Sequence, residues 1–426
     1  MKILIAYDFY PPFIGGAERQ VQLIGRRMTE RGHCVTVATM WHPGHALEHD
    51  DAGVRVVELK SLTTRVPWFS KDAARRYHPP FPDPFIVAGL RRLLDEFKPD
   101  VVHAQGWIAY SCAAALIGRR TPLLLSTRDY GYSCATRVML HQGRELCDGP
   151  AAAKCASCSA RHYGAPKGLM AMMSVLLGRS LLRRKATGVH SISTFVRQVV
   201  ERDLLEVKPG VQPVTSQAAT KTPTIIPSFY DAKNEPPADE DFLRQLPDQP
   251  YILYVGALQL HKGLAVLLEA YQRLKSPPPM VVAGTVWPDT PRSFPPGVTV
   301  LRNVSHANVM AAWKRSWFGV APSLWPEPLG AVVFEGMSQG KAIIGTEPSG
   351  HADMIVDGET GYLISLRDQA AMPALLAEAM DKLIRDPALC ERFGAAGKAR
   401  MALFTADAVI PRFESLYNTL TTLDTA

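Results

Sequence analysis

No long apolar run occurs in this sequence, cysteines number only seven, and the basic residues are not concentrated in one segment. No stretch approaches the ~18 consecutive apolar residues that a membrane-spanning helix needs, and the apolar start is too short for the core of a signal peptide. We therefore expect a cytoplasmic protein with reduced thiols. The 47 basic residues exceed the 40 acidic ones, but the arginine pairs are scattered. This charge pattern predicts anionic substrates or a membrane surface as partners, and no nucleic acid.

A second absence concerns dinucleotide cofactors. The fingerprint Gly-x-Gly-x-x-Gly, with an acidic residue some 20 positions later, follows neither of the strands that open the two halves of the chain. A dinucleotide-dependent oxidoreductase is therefore disfavoured.

The length and the hydrophobic pattern indicate two domains. A chain of 426 residues with 47% hydrophobic content is too long for one ordinary core. Strand-like runs alternate with helical ones, which is typical of parallel sheets covered by helices on both faces. The first series comprises 2–7, 34–39, 54–59, 100–104, 123–126 and 189–193; the second comprises 251–255, 280–283, 298–301, 318–321, 342–345 and 362–364.

The predicted fold is α/β, with two doubly wound, Rossmann-like parallel-sheet domains facing across a cleft. Residues 207–250 are rich in Pro, Lys, Gln and Asp and suit a linker. We place the N-terminal domain at 1–230 and the C-terminal domain at 231–405, with a C-terminal helix at 406–426 crossing back to the N-terminal domain. Open sheets of this kind bind ligands beyond the carboxyl ends of their strands.

The most informative stretch sets two carboxylates, Glu327 and Glu335, on either side of a helix start. Pro326 and Pro328 mark a loop after a buried strand, and residues 329–339 have helical spacing. The first turn of such a helix offers unpaired N–H groups that favour a phosphate. A glutamate further along the helix is able to bind a sugar diol, so the stretch suits a nucleotide diphosphate carrying a sugar.

A glycine-containing turn follows the first strand in each half of the chain. Gly15 and Gly16 lead into a helix, and Gly256 precedes Lys262 and a second helix. Glycine lets backbone amides approach a ligand closely, and a lysine before a helix suits a diphosphate. A tight turn without a ligand explains the glycines equally well, and a lone lysine is commonly solvated.

Taken with Asn303-Val304-Ser305 and the run from Ser349-Gly350 to Leu363, these residues resemble a family 4, group 1 retaining glycosyltransferase of the GT-B fold. The resemblance spans residues 2 to about 420. It is most specific over 320–364 and weakest over 60–90 and 207–250.

The resemblance implies a role for each matching position. Glu335 binds the ribose hydroxyls, Lys262 and the amides of Leu329 and Gly330 bind the diphosphate, and Glu327 contacts the transferred sugar near the reacting carbon. Gly15, Gly16 and Gly256 belong to the donor-binding turns. The donor is a UDP- or GDP-sugar and the acceptor a glycan or a lipid-linked glycan. No catalytic metal is expected, because cations and helix amides neutralise the leaving diphosphate.

The sequence departs from this family at two positions. Ala257 stands where many relatives have arginine, and Arg128 precedes Asp129 where relatives often have histidine. Arginine stays protonated and cannot act as a base, so Arg128 is our candidate for the missing phosphate cation; the alternative is a pair with Asp129. His103, at the end of a strand, either lines the acceptor side or is a structural imidazole.

Four of the seven cysteines fall within 25 residues, in an insertion at about 130–165. Four thiolates are able to hold a structural zinc ion, with His141 and His162 as substitute ligands. An iron–sulfur cluster, a redox pair and unligated thiols are the alternatives. A similar insertion occurs in a subset of the family. The cysteines are Cys134, Cys147, Cys155 and Cys158.

Residues 168–185 form an apolar helix with a basic end. Relatives dock on membranes by a comparable surface, which implies peripheral contact with the inner face of the plasma membrane. Met and Leu at helical spacing are more typical of a core helix, and we favour that interpretation.

The leading hypothesis for function is transfer of a sugar to an acceptor hydroxyl with retention, in surface polysaccharide or glycan biosynthesis. A nucleotide-sugar epimerase of the same fold is one alternative. A non-catalytic sugar-nucleotide-binding protein is another, if Arg128 and Ala257 mark a lost activity.

Overall fold

The structure, a computed structural model, describes residues 1–13, 15–66, 76–207, 222–231 and 237–423. Two compact units are present. The first contains Met1–Gln142, Cys147–Ser228 and the chain from Ala406 onward; the second contains Gly143–Leu146 and Phe229–Thr405. Much of the predicted linker at 207–250 lies outside the described residues.

The first unit is built on an eight-stranded sheet in the order β10-β9-β6-β5-β1-β2-β4-β3. All neighbouring strands are parallel except β3 and β4, which are antiparallel at one edge. The eight strands of this sheet are β1 (Lys2–Ala6), β2 (Cys34–Met40), β3 (Glu48–Asp51), β4 (Val54–Leu59), β5 (Val101–Gln105), β6 (Leu123–Thr127), β9 (Gly188–Ser191) and β10 (Thr224–Ile225). The short strand β7 (Leu140–His141) also belongs to the first unit but lies outside this sheet.

Helices connect these strands, as parallel pairing requires. Aspartate and serine caps fix two of the helix starts: Asp83 accepts N–H groups of Phe85 and Ile86, and Ser193 accepts the N–H of Val196. The helices are α1 (Gly16–Glu30), α2 (Leu62–Arg65), α3 (Pro84–Phe97), α4 (Ile108–Ala115), α5 (Ala152–Tyr163), α6 (Ala165–Lys185) and α7 (Thr194–Asp203).

The second unit contains a six-stranded, all-parallel sheet in the order β13-β12-β11-β14-β15-β16. Most residues of its inner strands are buried, as expected for a sheet covered on both faces. The six strands of this sheet are β11 (Ile252–Val255), β12 (Met280–Gly284), β13 (Val298–Arg302), β14 (Phe318–Val320), β15 (Ile343–Glu347) and β16 (Gly361–Ser365). The short strand β8 (Glu145–Leu146) also belongs to the second unit but lies outside this sheet.

The helices of the second unit surround a core of aliphatic and aromatic side chains from both faces of the sheet. Ser305 caps α10 by accepting the N–H of Asn308, and Asp386 caps α14 by accepting that of Leu389. The helices are α8 (Glu240–Leu243), α9 (Leu264–Gln272), α10 (His306–Arg315), α11 (Ala331–Ser338), α12 (His351–Met354), α13 (Met372–Arg385) and α14 (Pro387–Arg400).

The last helix, α15 (Ala406–Leu423), packs in the first unit. Glu414 on this helix pairs with Arg31 and His33 after α1, and Arg412 donates to the carbonyl oxygen of Ile225. Phe413 and Tyr417 pack against His103 of β5.

The predicted fold class is confirmed, with two doubly wound parallel-sheet units, and each strand of the two predicted series is found within two residues of its predicted bounds. The antiparallel edge strand β3 was not predicted. Its charged sequence, Glu-His-Asp-Asp, lacks the apolar alternation that marks a strand.

Candidate active site

The switch point of the second unit lies between β11 and β14, because the chain runs from β11 through β12 to β13 on one side and then returns to β14 on the other side of β11. The turn after β11 carries Gly256 and Lys262, and the loop after β14 carries Glu327. The two loops meet: Nζ of Lys262 lies 2.5 Å from Oε1 of Glu327, and the N–H of Leu324 donates to the carbonyl oxygen of His261. Predicted site residues from two strands are therefore in contact.

Three donors converge on one oxygen of the Glu327 carboxylate. Besides Lys262, the hydroxyl of Ser323 and the indole N–H of Trp325 donate to Oε1 at 2.8 and 2.9 Å. Burial by itself raises the pKa of Glu327, but the charge of Lys262 and the hydrogen bonds from Lys262 and Ser323 oppose it, and the pKa lies below its usual value. Within the described chain Oε2 has no hydrogen-bond partner, so this oxygen is available to accept sugar hydroxyls.

Lys262 is positioned by the glycine that follows it. Gly263 has a φ of +76°, and a Cβ there would lie 1.8 Å from the carbonyl oxygen of Pro322, so only glycine allows this approach. The ammonium group of Lys262 also lies 5.0 Å from the centre of the Trp325 ring, a cation–π distance.

Helix α11 begins two residues later than predicted, because Gly330 adopts a φ of +99° and forms its N-cap. In the described part of the chain, the N–H groups of Leu329 and Gly330 donate to no acceptor. They lie at the positive end of α11, where an anion is favoured. The adjoining loop is fixed by a 2.7 Å hydrogen bond from the N–H of Gly350 to the carbonyl oxygen of Glu327.

Glu335 lies on α11, in the same unit as Glu327. Its Oε2 accepts the indole N–H of Trp313 at 3.3 Å, and its Oε1 lies 3.3 Å from Nε2 of His306. Both contacts are long for hydrogen bonds to a carboxylate, and the side chain is 13% exposed. The carboxylate is thus oriented by the protein while still able to bind a diol.

Gly256 allows a close backbone approach. Its N–H donates to the carbonyl oxygen of Ala283, and a Cβ at Gly284 would lie 1.6 Å from its carbonyl oxygen. This close approach requires glycine at Gly284, while the φ of +154° at Gly256, a conformation that side chains rarely adopt, favours glycine in the strand-to-loop turn.

In the first unit, Gly15 forms the N-cap of α1 and Gly16 begins it. A Cβ at Gly15 would lie 2.2 Å from the carboxylate oxygen Oε2 of Glu18, whereas none of the described atoms lies within 4 Å of a Cβ at Gly16. The buried carboxylate of Glu18 therefore lies beside the helix start that the family resemblance assigned to donor binding.

Among the described residues, no carboxylate forms an ion pair with Arg128. Its Nη2 donates to the Ser228 hydroxyl at 2.5 Å, while Nε and Nη1 have no partner in the part of the chain that the structure describes. The alternative pair with Asp129 does not form, because that carboxylate binds Arg137. Burial lowers the pKa of Arg128 to about 10, so the guanidinium stays charged at neutral pH. It remains a candidate for an anion of the substrate.

His103 lies in the interior, between the sheet and α15. Its Nδ1 is 2.7 Å from the hydroxyl of Tyr417. Burial, with the charge of Arg128, lowers the pKa of His103 to about 3, so the imidazole is neutral. The structure therefore favours the structural role for His103 over the predicted contact with the acceptor.

The four clustered cysteines are free thiols, but their arrangement does not fit zinc. Among the described residues no group of three or more His, Cys, Asp or Glu side chains is placed to hold a metal ion. Burial raises the pKa of Cys155 and Cys158, whereas zinc binds thiolates. Cys158 instead accepts the N–H of Gln142 at 3.4 Å. The predicted zinc site at Cys134, Cys147, Cys155 and Cys158 is not supported.

Sequence reasoning missed Ser323 and Trp325 as carboxylate ligands. Both flank the predicted glutamate, and their donor groups were the available signal. It also missed a buried network at the carboxyl edge of the first sheet, where Asp8 accepts the N–H groups of Trp107 and Ile108. No spacing pattern linked these residues, since 99 positions separate Asp8 from Trp107.

Two family profiles match the chain. The profile described as Glycosyltransferase Family 4 matches residues 14–205, and the profile described as Glycosyl transferases group 1 matches residues 238–400. Together they account for most of both units.

Curated relatives match at low identity. An alpha-maltose-1-phosphate synthase of Mycolicibacterium smegmatis is 30% identical over 185 residues, or 39% of this chain and 47% of that protein. A glycogen synthase of Mycobacterium tuberculosis is 24% identical, with 94% of this chain and 90% of that protein covered. The aligned region thus spans about half the length of the first relative.

Solved structures resemble the whole chain. A sucrose-phosphate synthase from Thermosynechococcus elongatus has a TM-score of 0.70 at 19% identity, covering 99% of both chains. Anabaena HepE, in complex with UDP and glucose, has a TM-score of 0.63 at 17% identity, covering 98% of this chain and 100% of that one. At such identities the likeness shows the fold, which is GT-B.

Proposed function

Because the chain belongs to the family 4, group 1 glycosyltransferases, we propose that it transfers a sugar from a nucleotide diphosphate sugar to an acceptor hydroxyl with retention. One observation carries this proposal: Lys262 and Glu327, from the loops after two different strands, meet beside the start of α11, where the N–H groups of Leu329 and Gly330 donate to no described acceptor. A cation, a sugar-binding carboxylate and an anion-binding helix start are thereby assembled within one unit.

The chemistry follows from what each group is able to bind. The bond between the sugar C1 and the distal phosphate oxygen breaks, and the acceptor oxygen forms its bond to C1 on the same face. The acceptor proton passes to the departing phosphate. Lys262 and the amides of Leu329 and Gly330 stabilise the charge on the diphosphate, and Glu327 holds the sugar hydroxyls through Oε2. We propose that no metal ion takes part.

The donor and the acceptor are proposed by class. A UDP- or GDP-sugar fits the nucleotide-binding role of Glu335, and the HepE structure contains UDP and glucose. Glycans or lipid-linked glycans of a surface polysaccharide are the proposed acceptors. Arg128 is proposed to contact an anionic group of a substrate, since the guanidinium stays charged and the neighbouring Asp129 is paired with Arg137.

Purified protein incubated with UDP- and GDP-sugars tests the proposal, with and without glycan acceptors. A transferase forms a glycoside with acceptor and hydrolyses the donor slowly without it. An epimerised donor in the absence of acceptor would support an epimerase instead, and binding without any turnover would support a non-catalytic protein. Glu327→Gln should abolish turnover while the donor still binds; a fully active variant would refute the assignment of this residue.

We also propose a cytoplasmic protein in peripheral contact with the inner face of the plasma membrane. Among the described helices, none has the length and apolar character to cross a bilayer. Helix α6 buries Met172 and Val175, as a core helix does, but exposes Leu169, Met173 and Leu177 in one row. Such a row is able to enter a lipid interface.

A further inference from the structure

The imidazole of His351 lies beside the start of α11, although neither the sequence nor the comparisons assign it a role. It is 1% exposed and is enclosed by two glycines. A Cβ at Gly330 would lie 2.6 Å from its Nε2, and a Cβ at Gly345 would lie 3.1 Å from its Nδ1. The ring therefore reaches the residue whose N–H group faces the proposed phosphate.

The hydrogen bonds of His351 determine which nitrogen carries the proton. The N–H of Thr346 donates to Nδ1 at 3.1 Å, so Nδ1 is an acceptor and the proton of the neutral ring is on Nε2. Burial lowers the pKa of His351 to about 4, which keeps the ring neutral near pH 7. In the described chain no residue accepts a hydrogen bond from Nε2.

Two independent features thus point to one ligand. Within the described residues, the N–H groups of Leu329 and Gly330 donate to no acceptor, and the buried imidazole of His351 beside them has no acceptor for its Nε2–H. The charges of Glu327 and Lys262 both influence His351, so the imidazole also lies near the proposed sugar and diphosphate ligands.

We propose that Nε2–H of His351 donates a hydrogen bond to the distal phosphate of the donor, beside the amides of Leu329 and Gly330. This inference rests on the proposed function and adds a binding residue to it. The distal phosphate bears the oxygen that leaves C1, so its negative charge rises as that bond breaks. A neutral N–H donor stabilises this charge without requiring a buried cation.

Two substitutions separate this role from a purely structural one. The amide oxygen of His351→Asn can replace Nδ1 as the acceptor for Thr346, but its side chain is too short to replace Nε2–H. His351→Gln places an amide N–H near the position of Nε2. The two variants therefore differ chiefly in whether a side-chain N–H group lies near Gly330.

Calorimetric titration with UDP, GDP and ADP first identifies the diphosphate that binds the wild type, and the matching monophosphate serves as the second ligand. His351→Asn should weaken binding of the diphosphate about tenfold, as expected for one hydrogen bond to a charged group, and leave the monophosphate unchanged. His351→Gln should bind the diphosphate within about threefold of the wild type.

Equal weakening of both ligands, or unchanged diphosphate binding in His351→Asn, would overturn the inference while leaving the transferase proposal intact. A wild type that binds no nucleoside diphosphate would refute the proposed function and this inference with it. Should His351→Asn not fold, nuclear magnetic resonance of the wild type decides: the His351 Hε2 signal should shift with the diphosphate and not with the monophosphate. An Hε2 signal that is indifferent to the diphosphate contradicts the inference.

Discussion

The ammonium group of Lys262 lies 2.5 Å from Oε1 of Glu327, although 65 positions separate the two residues. The contact joins the loops after β11 and β14, on either side of the switch point of the second sheet. It sets the ionisation of the carboxylate, because Lys262 contributes most to lowering the pKa of Glu327.

Replacing Lys262 with methionine should leave Glu327 buried without its cation. We expect kcat/KM to fall by about 100-fold or more, because a diphosphate contact and the carboxylate partner are lost together. The pKa of Glu327 should rise, so the acid limb of the pH–rate profile should move to higher pH. Lys314→Met, at an exposed position of α10 in the same unit, is the matched control. An unchanged acid limb in Lys262→Met would show that Lys262 does not lower the pKa of Glu327.

Glu335→Gln should weaken the affinity for the donor about tenfold, because an amide oxygen is a poorer acceptor for two hydroxyls than a carboxylate. If this residue binds the ribose diol, the wild type should discriminate against a 2′,3′-dideoxy nucleotide and the variant should not. Competition binding with both nucleotides measures this. Glu391→Gln, at an exposed position of α14, should retain the discrimination. If Glu391→Gln also lost it, the loss in Glu335→Gln would be no evidence that Glu335 binds the ribose diol.

Arg128→Met should raise the thermal unfolding midpoint and lower turnover. Two guanidinium nitrogens of Arg128 are buried and have no partner among the described residues, which costs folding free energy that an apolar side chain of similar length avoids. Arg137→Met provides the contrast, since Arg137 binds Asp129 and its loss should lower the midpoint. Differential scanning fluorimetry and donor turnover measure both effects. Full activity in Arg128→Met would exclude a substrate contact.

Acid should destabilise the protein through its buried histidines. Burial lowers the pKa of His78 and His351 to about 4 and that of His103 to about 3, and it lowers the pKa of His190 as well. Their neutral forms contribute stability that is present above pH 6.5 and is lost as the pH falls toward 4, because only the unfolded chain takes up the protons.

Each of these histidines should cost roughly 1 kcal/mol between pH 7.5 and 5.5. Asp8 acts in the opposite direction, since burial raises its pKa to about 6 and its protonation favours the folded state as the pH falls, but it is one group against four. Urea unfolding at the two pH values measures the balance. Equal stability at both would show that the imidazoles are accessible to protons in the folded state.

Replacing Leu169, Met173 and Leu177 with serine should weaken binding to vesicles of anionic lipid about tenfold or more, because three apolar side chains no longer enter the interface. The side chains are 44%, 48% and 68% exposed, so folding should be little affected. Leu403→Ser, at an exposed position in the second unit, should bind like the wild type. Co-sedimentation compares them, and equal binding by all proteins would exclude this surface.

Some features of the site were readable from local sequence. Pro326 and Pro328 place Glu327 in a loop, and the spacing of Val333, Phe334 and Met337 places Glu335 on a helix. The carboxylate pair and the helix start were predictable because the residues that indicate them lie within about three helical turns of one another in the sequence. Periodicity and turn residues act over this range.

Other features depended on contacts that no local pattern encodes. His103 was predicted at the end of a strand but lies in the middle of β5, where α15, more than 300 positions later, covers it and supplies the Tyr417 hydroxyl. The clustered cysteines suggested a metal site by spacing alone, but the fold does not arrange the described ligands for one. Sequence spacing limits which residues are able to come into contact, and the packing of the fold decides which of them do.

By itself, the sequence determined the strand series, the parallel doubly wound sheets and the candidate carboxylates, because alternation, helical period and turn chemistry are local properties of the chain. Tertiary structure alone decided that Lys262, Ser323 and Trp325 share one oxygen of Glu327, that Asp129 pairs with Arg137 and not with Arg128, and that His351 adjoins Gly330. The physical reason is that parallel strands bring their carboxyl ends to one edge, where residues distant in sequence become neighbours.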